Sequence, residues 1–175
     1  KPQNIRLNAA CDRAVLTDWG LARRVGDATE PIRCGTPAYA SPEQLTGYDP
    51  NSLDGRARAL TGAVDVWSLG ATLYEMVEGE PPFAGRTFED LARNVLCLSY
   101  RPPSAAPPEV ARLISSMLQR CSIERASLDE LAESRWVKAS GVLGSREDAL
   151  LSIEQGLGWG RDAPFAFECA GCEPD

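Results

Sequence analysis

The chain has 175 residues, of which 43% are hydrophobic and 25% are charged, a composition typical of a compact globular domain. Its formal net charge of −7 argues against a nucleic-acid partner. No apolar run approaches the roughly 20 residues that a membrane span requires. An acidic surface would suit a basic peptide substrate, although solubility alone is the simpler explanation of the charge.

Six cysteines and no histidine limit the metal and redox chemistry that is open to the chain. Four cysteines stand singly among apolar neighbours, as reduced thiols of an intracellular protein do. Cys169 and Cys172 form one C-x-x-C pair, whereas a closed zinc site needs four ligands. We therefore expect an intracellular protein without a disulfide framework, in which this pair is a chance feature of the tail.

The first elements predicted along the chain are two short strands. Residues 5–8 alternate apolar and polar side chains, residues 14–17 form a second β-like run, and residues 9–13 join the two. Residues 18–43 show no helical period and contain three glycines and three prolines. The sequence predicts a small hairpin followed by a long loop, and long loops in compact domains are usually functional.

The next predicted element is a helix over residues 64–78, which is apolar on almost every face. A helix with no polar face is expected in the middle of a domain, surrounded by other elements. Gly79 ends the predicted helix, and Pro81 and Pro82 prevent it from resuming.

Further helices are predicted in the second half of the chain. One begins at Thr87, and the next follows a proline-rich extended connector over residues 101–108. The pattern Ser127-x-x-Glu130 is a capping box that opens another. Residues 145–155 predict a last helix before a loose tail. We expect one mainly α-helical domain with a small hairpin at its start.

Four short motifs occur in order along the chain. It opens with KPQN at residues 1–4, and DWG at residues 18–20 follows the hairpin. GTPAYASPE at residues 35–43 closes the long loop, and DVWSLG at residues 65–70 opens the buried helix. Each motif is weak alone, but their order and spacing make chance a poor explanation. Together they resemble the protein-kinase signature set: the end of the catalytic loop, the D-F-G triplet, the A-P-E motif and the D-x-W-S-x-G helix.

The resemblance covers residues 1–137. It is strongest for the calmodulin-dependent and AMP-activated group, and for the SNF-related kinases within it, through EPPF at residues 80–83, LQR at 118–120 and ERASL at 124–128. It implies the C-terminal lobe of a serine/threonine protein kinase, a helical bundle with a small β-hairpin. The N-terminal lobe is missing from this chain, and residues 138–175 are expected to be a C-terminal extension.

Asn4 and Asp18 are the candidate metal residues. Magnesium is a hard cation that prefers oxygen ligands, and these side chains offer an amide oxygen and a carboxylate at the two ends of a hairpin. Taken alone, Asp18 would be a turn residue and Asn4 a strand-entry residue. The resemblance assigns both of them to the Mg²⁺ ions that accompany ATP.

The resemblance also implies roles for Lys1 and Thr36. Lys1 corresponds to the lysine that follows the catalytic aspartate and contacts the transferred phosphate, and Thr36 to the threonine that supports it. Both favour serine/threonine over tyrosine specificity. The catalytic aspartate itself would lie two residues before Lys1.

Five further matches are expected to be structural. Glu43 and Arg125 are predicted to form a buried ion pair, which fixes geometry more than it adds net stability. Asp65 is expected to accept backbone N–H bonds from the catalytic loop. Trp67 is expected in the core, and Gly20 completes the metal-site triplet.

The resemblance implies ATP-dependent phosphorylation of serine and threonine in a protein substrate, in the cytoplasm or the nucleus. We expect the chain alone to be incompetent, because the catalytic aspartate and the N-terminal ATP site lie outside it. Two alternatives stay open: a pseudokinase scaffold, and a truncated product that serves as an interaction module. Retention of both metal residues favours the kinase over the pseudokinase.

Three features depart from the resemblance. Trp19 replaces the usual phenylalanine of the triplet, and residues 48–62 form an insertion. The position three residues before Gly35, where related kinases carry an activating phosphothreonine, is Ile32. We therefore expect activation without phosphate at that position. Either Thr29 substitutes, or the loop is ordered without phosphate, unless the loop belongs to a kinase that has lost activity.

Overall fold

The computed structural model describes residues 1–9, 13–22, 35–47 and 61–139. This part of the chain is mainly helical, with one two-stranded sheet. Its elements are β1 (Ile5–Leu7), β2 (Ala14–Leu16), α1 (Pro42–Thr46), α2 (Ala63–Glu78), α3 (Phe88–Leu96), α4 (Pro108–Met117), α5 (Leu128–Glu133) and α6 (Arg135–Ala139). No helix in the described ranges has the length and apolar character to cross a membrane. The expected fold class, a mainly helical kinase-like lobe with a small hairpin, is confirmed.

The hairpin forms as the sequence predicts. Strands β1 and β2 are antiparallel, with Ile5 opposite Leu16. The backbone N–H of Thr17 donates to the carbonyl of Asn4 at 2.8 Å, which carries the pairing one step beyond the strands. The chain segments that enter and leave the hairpin are therefore held side by side.

Helix α2 is the central element of the described structure, as expected. It packs against α4, and Gly79 ends it in the left-handed conformation with φ 82°. The expectation that it is buried on every face is wrong, because Leu69 is 45% exposed and Met76 is 68% exposed. These two residues are seven positions apart and so lie on one face of the helix. Both side chains are open to solvent in the described part of the structure, although Thr72 on the same side of the helix is buried.

The core is built around Trp67 of α2, which is fully buried. Its ring stacks on Phe83 with centroids 5.4 Å apart and an interplanar angle of 9°. Tyr100 meets Phe83 edge to face at 5.4 Å. Val110 and Ile114 of α4 complete the same cluster. An aromatic group of this kind buries a large apolar area and favours one relative placement of the helices.

The predicted helix starts are found where the capping residues place them. The Thr87 hydroxyl accepts from the backbone N–H of Asp90 at 3.2 Å at the start of α3. At the start of α5, Ser127 and Glu130 form a capping box, in which the side chain of each residue accepts from the backbone N–H of the other. The predicted helix over residues 145–155 lies outside the described residues.

Two short helices were not expected, α1 and α6. Helix α1 begins at Pro42, inside the segment predicted as loop, and ends at Gly47 with φ 67°. Its start has a signal that could have been found: the Gln44 side chain accepts from the backbone N–H of Ser41 at 3.0 Å, as in a Ser-x-x-Gln capping box. Proline is also well suited to the first helical position.

Candidate active site

The ends of the hairpin bring Asn4 and Asp18 together. The amide Nδ2 of Asn4 lies 3.4 Å from the carboxylate Oδ2 of Asp18. Asn4 is fixed from its other side, because the Thr17 hydroxyl donates to its backbone carbonyl at 3.2 Å. Asp18 has φ 64°, a left-handed conformation that few non-glycine residues adopt, aspartate more often than most, and that recurs at active sites. The sequence-based expectation that these two side chains face each other is met by this geometry.

Lys1 and Thr36 also meet, although 35 positions separate them. The Lys1 ammonium donates to Thr36 Oγ1 at 2.9 Å. Thr36 precedes the short 3₁₀ turn Pro37–Tyr39, so the bond joins the first residue of the chain to the end of the long loop. A lysine ammonium carries three donors, so it can bond to Thr36 and to a ligand such as phosphate at the same time.

The side chains of Asn4 and Asp18 fit a magnesium site of a particular kind. In the described ranges no cluster of three or more His, Cys, Asp or Glu side chains could hold a metal by itself. Mg²⁺ typically uses one or two protein carboxylates and takes its other oxygens from substrate phosphates and water. One carboxylate and one amide oxygen at an exposed hairpin end match that pattern, provided that the Asn4 amide turns its oxygen towards Asp18.

The predicted pairing of Arg125 with Glu43 is confirmed. Arg125 Nη1 donates to Glu43 Oε1 at 2.6 Å, and Nη2 donates to Oε2 at 2.7 Å. The guanidinium also donates to the carbonyls of Gln119 at 2.8 Å and Ala63 at 2.9 Å. Both charged residues are buried, so the fork ties α1 to the start of α2 and to the segment after α4.

Trp67 is a core residue, as expected, and it also touches this ion pair. The Arg125 guanidinium carbon lies 5.0 Å from the centre of the Trp67 ring, within the range of a cation–π contact. In the described part of the chain, Trp67 Nε1 is buried and has no hydrogen-bond partner. The indole therefore contributes through packing and its contact with Arg125.

Comparison with known proteins identifies the family. The family described as "Protein kinase domain" matches residues 1–137. The chain belongs to the protein kinase family. The human SNF-related serine/threonine-protein kinase is 32% identical over 139 residues, which is 79% of this chain and 17% of that protein. Serine/threonine-protein kinase PkaA of Streptomyces coelicolor is 32% identical over 164 residues, 90% of this chain and 28% of that protein. The chain thus spans less than a third of the length of these kinase relatives.

Within the described residues, two of the predicted structural residues of the kinase lobe, Asp65 and Gly20, show no contact that explains them. Asp65 lies exposed in the first turn of α2, and partial desolvation of its carboxylate raises its pKa. Gly20 is exposed, and among the described residues a Cβ there would meet only Asp18 Oδ1, at an ordinary distance of 3.7 Å. The expected bonds from Asp65 to the catalytic loop, and the need for glycine at position 20, both stay predictions.

Sequence analysis did not predict the hydrogen bonds that join the end of the kinase loop to α2. The Tyr39 hydroxyl donates to the Glu75 carboxylate, and the Ser68 hydroxyl donates to the Tyr39 carbonyl at 2.9 Å. Burial and the Glu75 carboxylate raise the pKa of Tyr39 to about 12. Tyr39 lies inside the GTPAYASPE motif, so its position gave a signal, but its partner 36 positions away could not be found without the fold.

A second missed residue is Gly70, the last residue of the DVWSLG motif. A Cβ at this position would lie 2.8 Å from Met117 Cβ and 3.2 Å from Leu118 Cδ2. Real Cβ atoms do not approach so closely, so glycine is what allows α2 and α4 to pack at this separation. The motif includes this glycine, but the need for glycine at position 70 follows from the packing of α2 against α4.

Proposed function

We propose that this chain is the metal- and substrate-side lobe of a serine/threonine protein kinase, and that it acts within a longer kinase. The observation that carries the proposal is that Lys1 bonds to Thr36 and Asn4 lies against Asp18, and that the backbone N–H of Asn4 donates to the Lys1 carbonyl at 2.9 Å and so links the two pairs. Residues 1–137 are the proposed lobe, and residues 138–175 a C-terminal extension. ATP and a protein with acceptor serine or threonine are the proposed substrates.

In this proposal Asn4 and Asp18 bind the Mg²⁺ that accompanies ATP. The cation, when bound, offsets the negative charge of the phosphates, which is the main electrostatic demand of phosphoryl transfer. The left-handed backbone at Asp18 aims its carboxylate towards Asn4. The hairpin holds the two ligands at fixed separation, and pre-organised ligands lower the cost of ordering the phosphates.

Lys1 is the proposed contact to the phosphoryl group as it moves to the acceptor hydroxyl. Its bond to Thr36 orients the ammonium and ties it to the end of the loop that carries the GTPAYASPE motif. Tyr39 and Glu75 then fasten that loop to α2. The arrangement positions a charge for the transferred group, which suits a reaction that depends on positioning and charge stabilisation.

The test is a phosphotransfer assay on the full-length protein that contains this chain. We expect Asp18→Asn to lower the transfer rate by at least about 10³-fold while leaving the fold intact, since it removes the carboxylate ligand. Asp129→Asn, an exposed carboxylate in the first turn of α5, is the matched control and should keep the wild-type rate. Equal rates for Asp18→Asn and the control would refute the metal assignment.

The same assay separates the kinase from the pseudokinase. If the wild-type full-length protein binds Mg²⁺ and ATP but transfers no phosphate, the result would favour the pseudokinase scaffold over the kinase. We also expect the 175-residue chain alone to transfer no phosphate, because the groups proposed to complete the nucleotide site lie outside it, and losing several co-operating groups removes nearly all the rate. Transfer by the purified chain, with contaminating kinases excluded, would contradict this expectation.

A further inference from the structure

The connector between α3 and α4 carries the sequence Arg101-Pro102-Pro103-Ser104 in an exposed position. Pro103 is buried and Ala106 packs against the core, so the connector is anchored on both sides of Ser104. Ser104 itself is exposed. Each residue before a proline is restricted to extended backbone, so residues 101 and 102 are held extended ahead of the hydroxyl.

The Ser104 hydroxyl takes part in a latch that joins this connector to the end of α2. Ser104 Oγ donates to Glu78 Oε2 at 3.3 Å, and the backbone N–H of Ala105 donates to Glu78 Oε1 at 2.8 Å. Both bonds end on the same carboxylate, so a second negative charge placed beside it would weaken them. We call these two bonds the Glu78 latch.

We propose that Ser104 is a phosphorylation site for a protein kinase that selects arginine three residues before its acceptor, and that the phosphate opens the Glu78 latch. The phosphoryl group of Mg-ATP moves to Ser104 Oγ, the bond from that phosphorus to ADP breaks, and the hydroxyl proton leaves to solvent or base. The product adds close to two negative charges beside the Glu78 carboxylate, and like charges at this distance repel. The positive charge of Arg101, three residues earlier in the chain, would attract the phosphate instead.

Three other serine or threonine residues also have an arginine three positions before them, and each differs from Ser104 in its structural setting. Ser115 follows Arg112 but lies inside α4, where the backbone is helical and cannot extend. Thr36 follows Arg33 and its hydroxyl accepts from Lys1. Thr61 follows Arg58, and its hydroxyl accepts from the Ala63 N–H at 3.3 Å at the start of α2. Of these four hydroxyls, Ser104 alone follows a stretch whose extended backbone is fixed by prolines.

The experiment incubates the 175-residue chain with an arginine-directed protein kinase and Mg-ATP, and locates the phosphate by tandem mass spectrometry. We expect one phosphate per chain at Ser104, none in Ser104→Ala, and unchanged incorporation in the matched control Ser115→Ala. Arg101→Ala should lower the initial rate about tenfold, because it removes the charge that guides recognition. Phosphate mainly at another residue, no incorporation, or unchanged incorporation in Ser104→Ala would overturn the site.

A second measurement tests the latch. Hydrogen exchange at the Ala105 amide should speed up about tenfold after phosphorylation, since that amide loses its acceptor. Glu78→Gln keeps an oxygen acceptor but removes the repelled charge, so phosphorylation of that variant should change Ala105 exchange much less. Equal Ala105 exchange before and after phosphorylation of the wild-type chain would overturn the proposed opening.

Discussion

Two regions of this lobe are held together in opposite ways. The anchor region, which we define as Glu43, Trp67 and Arg125, is buried, and its arginine makes two short bonds to one carboxylate under the cover of an indole ring. Its charges are removed from water, so each depends on its partner. Removal of one charged group therefore leaves the other buried without a partner, which lowers the stability of the fold.

The hairpin site, which we define as Lys1, Asn4, Asp18 and Thr36, is at least partly open to water. Two single bonds connect its side chains, Lys1 to Thr36 at 2.9 Å and Asn4 to Asp18 at 3.4 Å. Water can replace either bond, so each contributes little to the stability of the fold. The anchor region therefore stabilises the fold, whereas the polar atoms of the hairpin site can exchange their bonds for bonds to a ligand.

The largest expected effect is in the anchor region. Glu43→Gln should lower the free energy of unfolding by about 3–5 kcal/mol, because it leaves the Arg125 charge buried without a counter-charge. The matched control is Asp90→Asn, which removes the exposed pair between Asp90 and Arg93 at 3.0 Å and should change stability by less than about 0.5 kcal/mol. Urea denaturation of both variants measures this difference. Similar losses of unfolding free energy would mean that burial does not make the Glu43–Arg125 pair more important for stability than the Asp90–Arg93 pair.

The next effect is steric and concerns the contact of α2 with α4. Gly70→Ala should cost about 1–3 kcal/mol, because the new methyl group overlaps Met117 and the helices must move apart. Gly62→Ala is the control: no atom of the described residues lies within 4 Å of a Cβ there, so its cost should stay below about 0.5 kcal/mol. Thermal unfolding of the two variants tests the packing, and a tolerated Gly70→Ala would show that the helices are less tightly packed than this structure has them.

Tyr39 connects the two regions and gives a pH test. Tyr39→Phe should cost about 1.5 kcal/mol at pH 8, since it removes a hydrogen bond to the Glu75 carboxylate. The pKa of Tyr39 is raised from 10.0 to about 12 in the folded chain, so its contribution is complete below pH 10 and is lost as the pH rises towards 12. Urea denaturation of wild type and Tyr39→Phe should give curves that converge over this window. A gap that stays constant up to pH 12 would contradict the assigned bond.

The smallest expected effect on stability is in the hairpin site. Thr36→Ala should change the free energy of unfolding by less than about 0.5 kcal/mol, because its bond to Lys1 is exposed to water. The same variant should lower phosphotransfer by the full-length protein, because Lys1 loses its orienting partner. A variant that is strongly destabilised would place Thr36 among the structural residues instead.

The sequence predicted the hairpin, the central helix and the capped helix starts, because each of these depends on local patterns. Alternating residues, Gly79 and the box between Ser127 and Glu130 need no knowledge of the fold. Burial was harder to predict: α2 is apolar on almost every face, yet Leu69 and Met76 are exposed. An apolar side chain shows only that burial is favourable, and whether another element covers it depends on the tertiary arrangement.

The site could be predicted only in part, through its motifs. The predicted hairpin suggested that Asn4 would meet Asp18, and the resemblance to kinases implied that Arg125 would meet Glu43; both pairs are in contact. The bond from Tyr39 to its partner on α2 follows from helix placement, which no local pattern records. The phosphorylation expectations for Thr29 and Ile32, and residues 48–60 of the predicted insertion at residues 48–62, lie outside the described residues.

Binding of a divalent cation at the hairpin ends tests the central claim most directly. Mn²⁺ can take the place of Mg²⁺ on oxygen ligands and broadens the NMR signals of nearby amides. Titration of Mn²⁺ with ATP into the isotopically labelled chain should broaden the amides of Asn4, Thr17 and Asp18 first, and Asp18→Asn should remove that effect while Asp129→Asn keeps it. Broadening that begins elsewhere, or that is the same in Asp18→Asn as in the wild-type chain, would contradict the account.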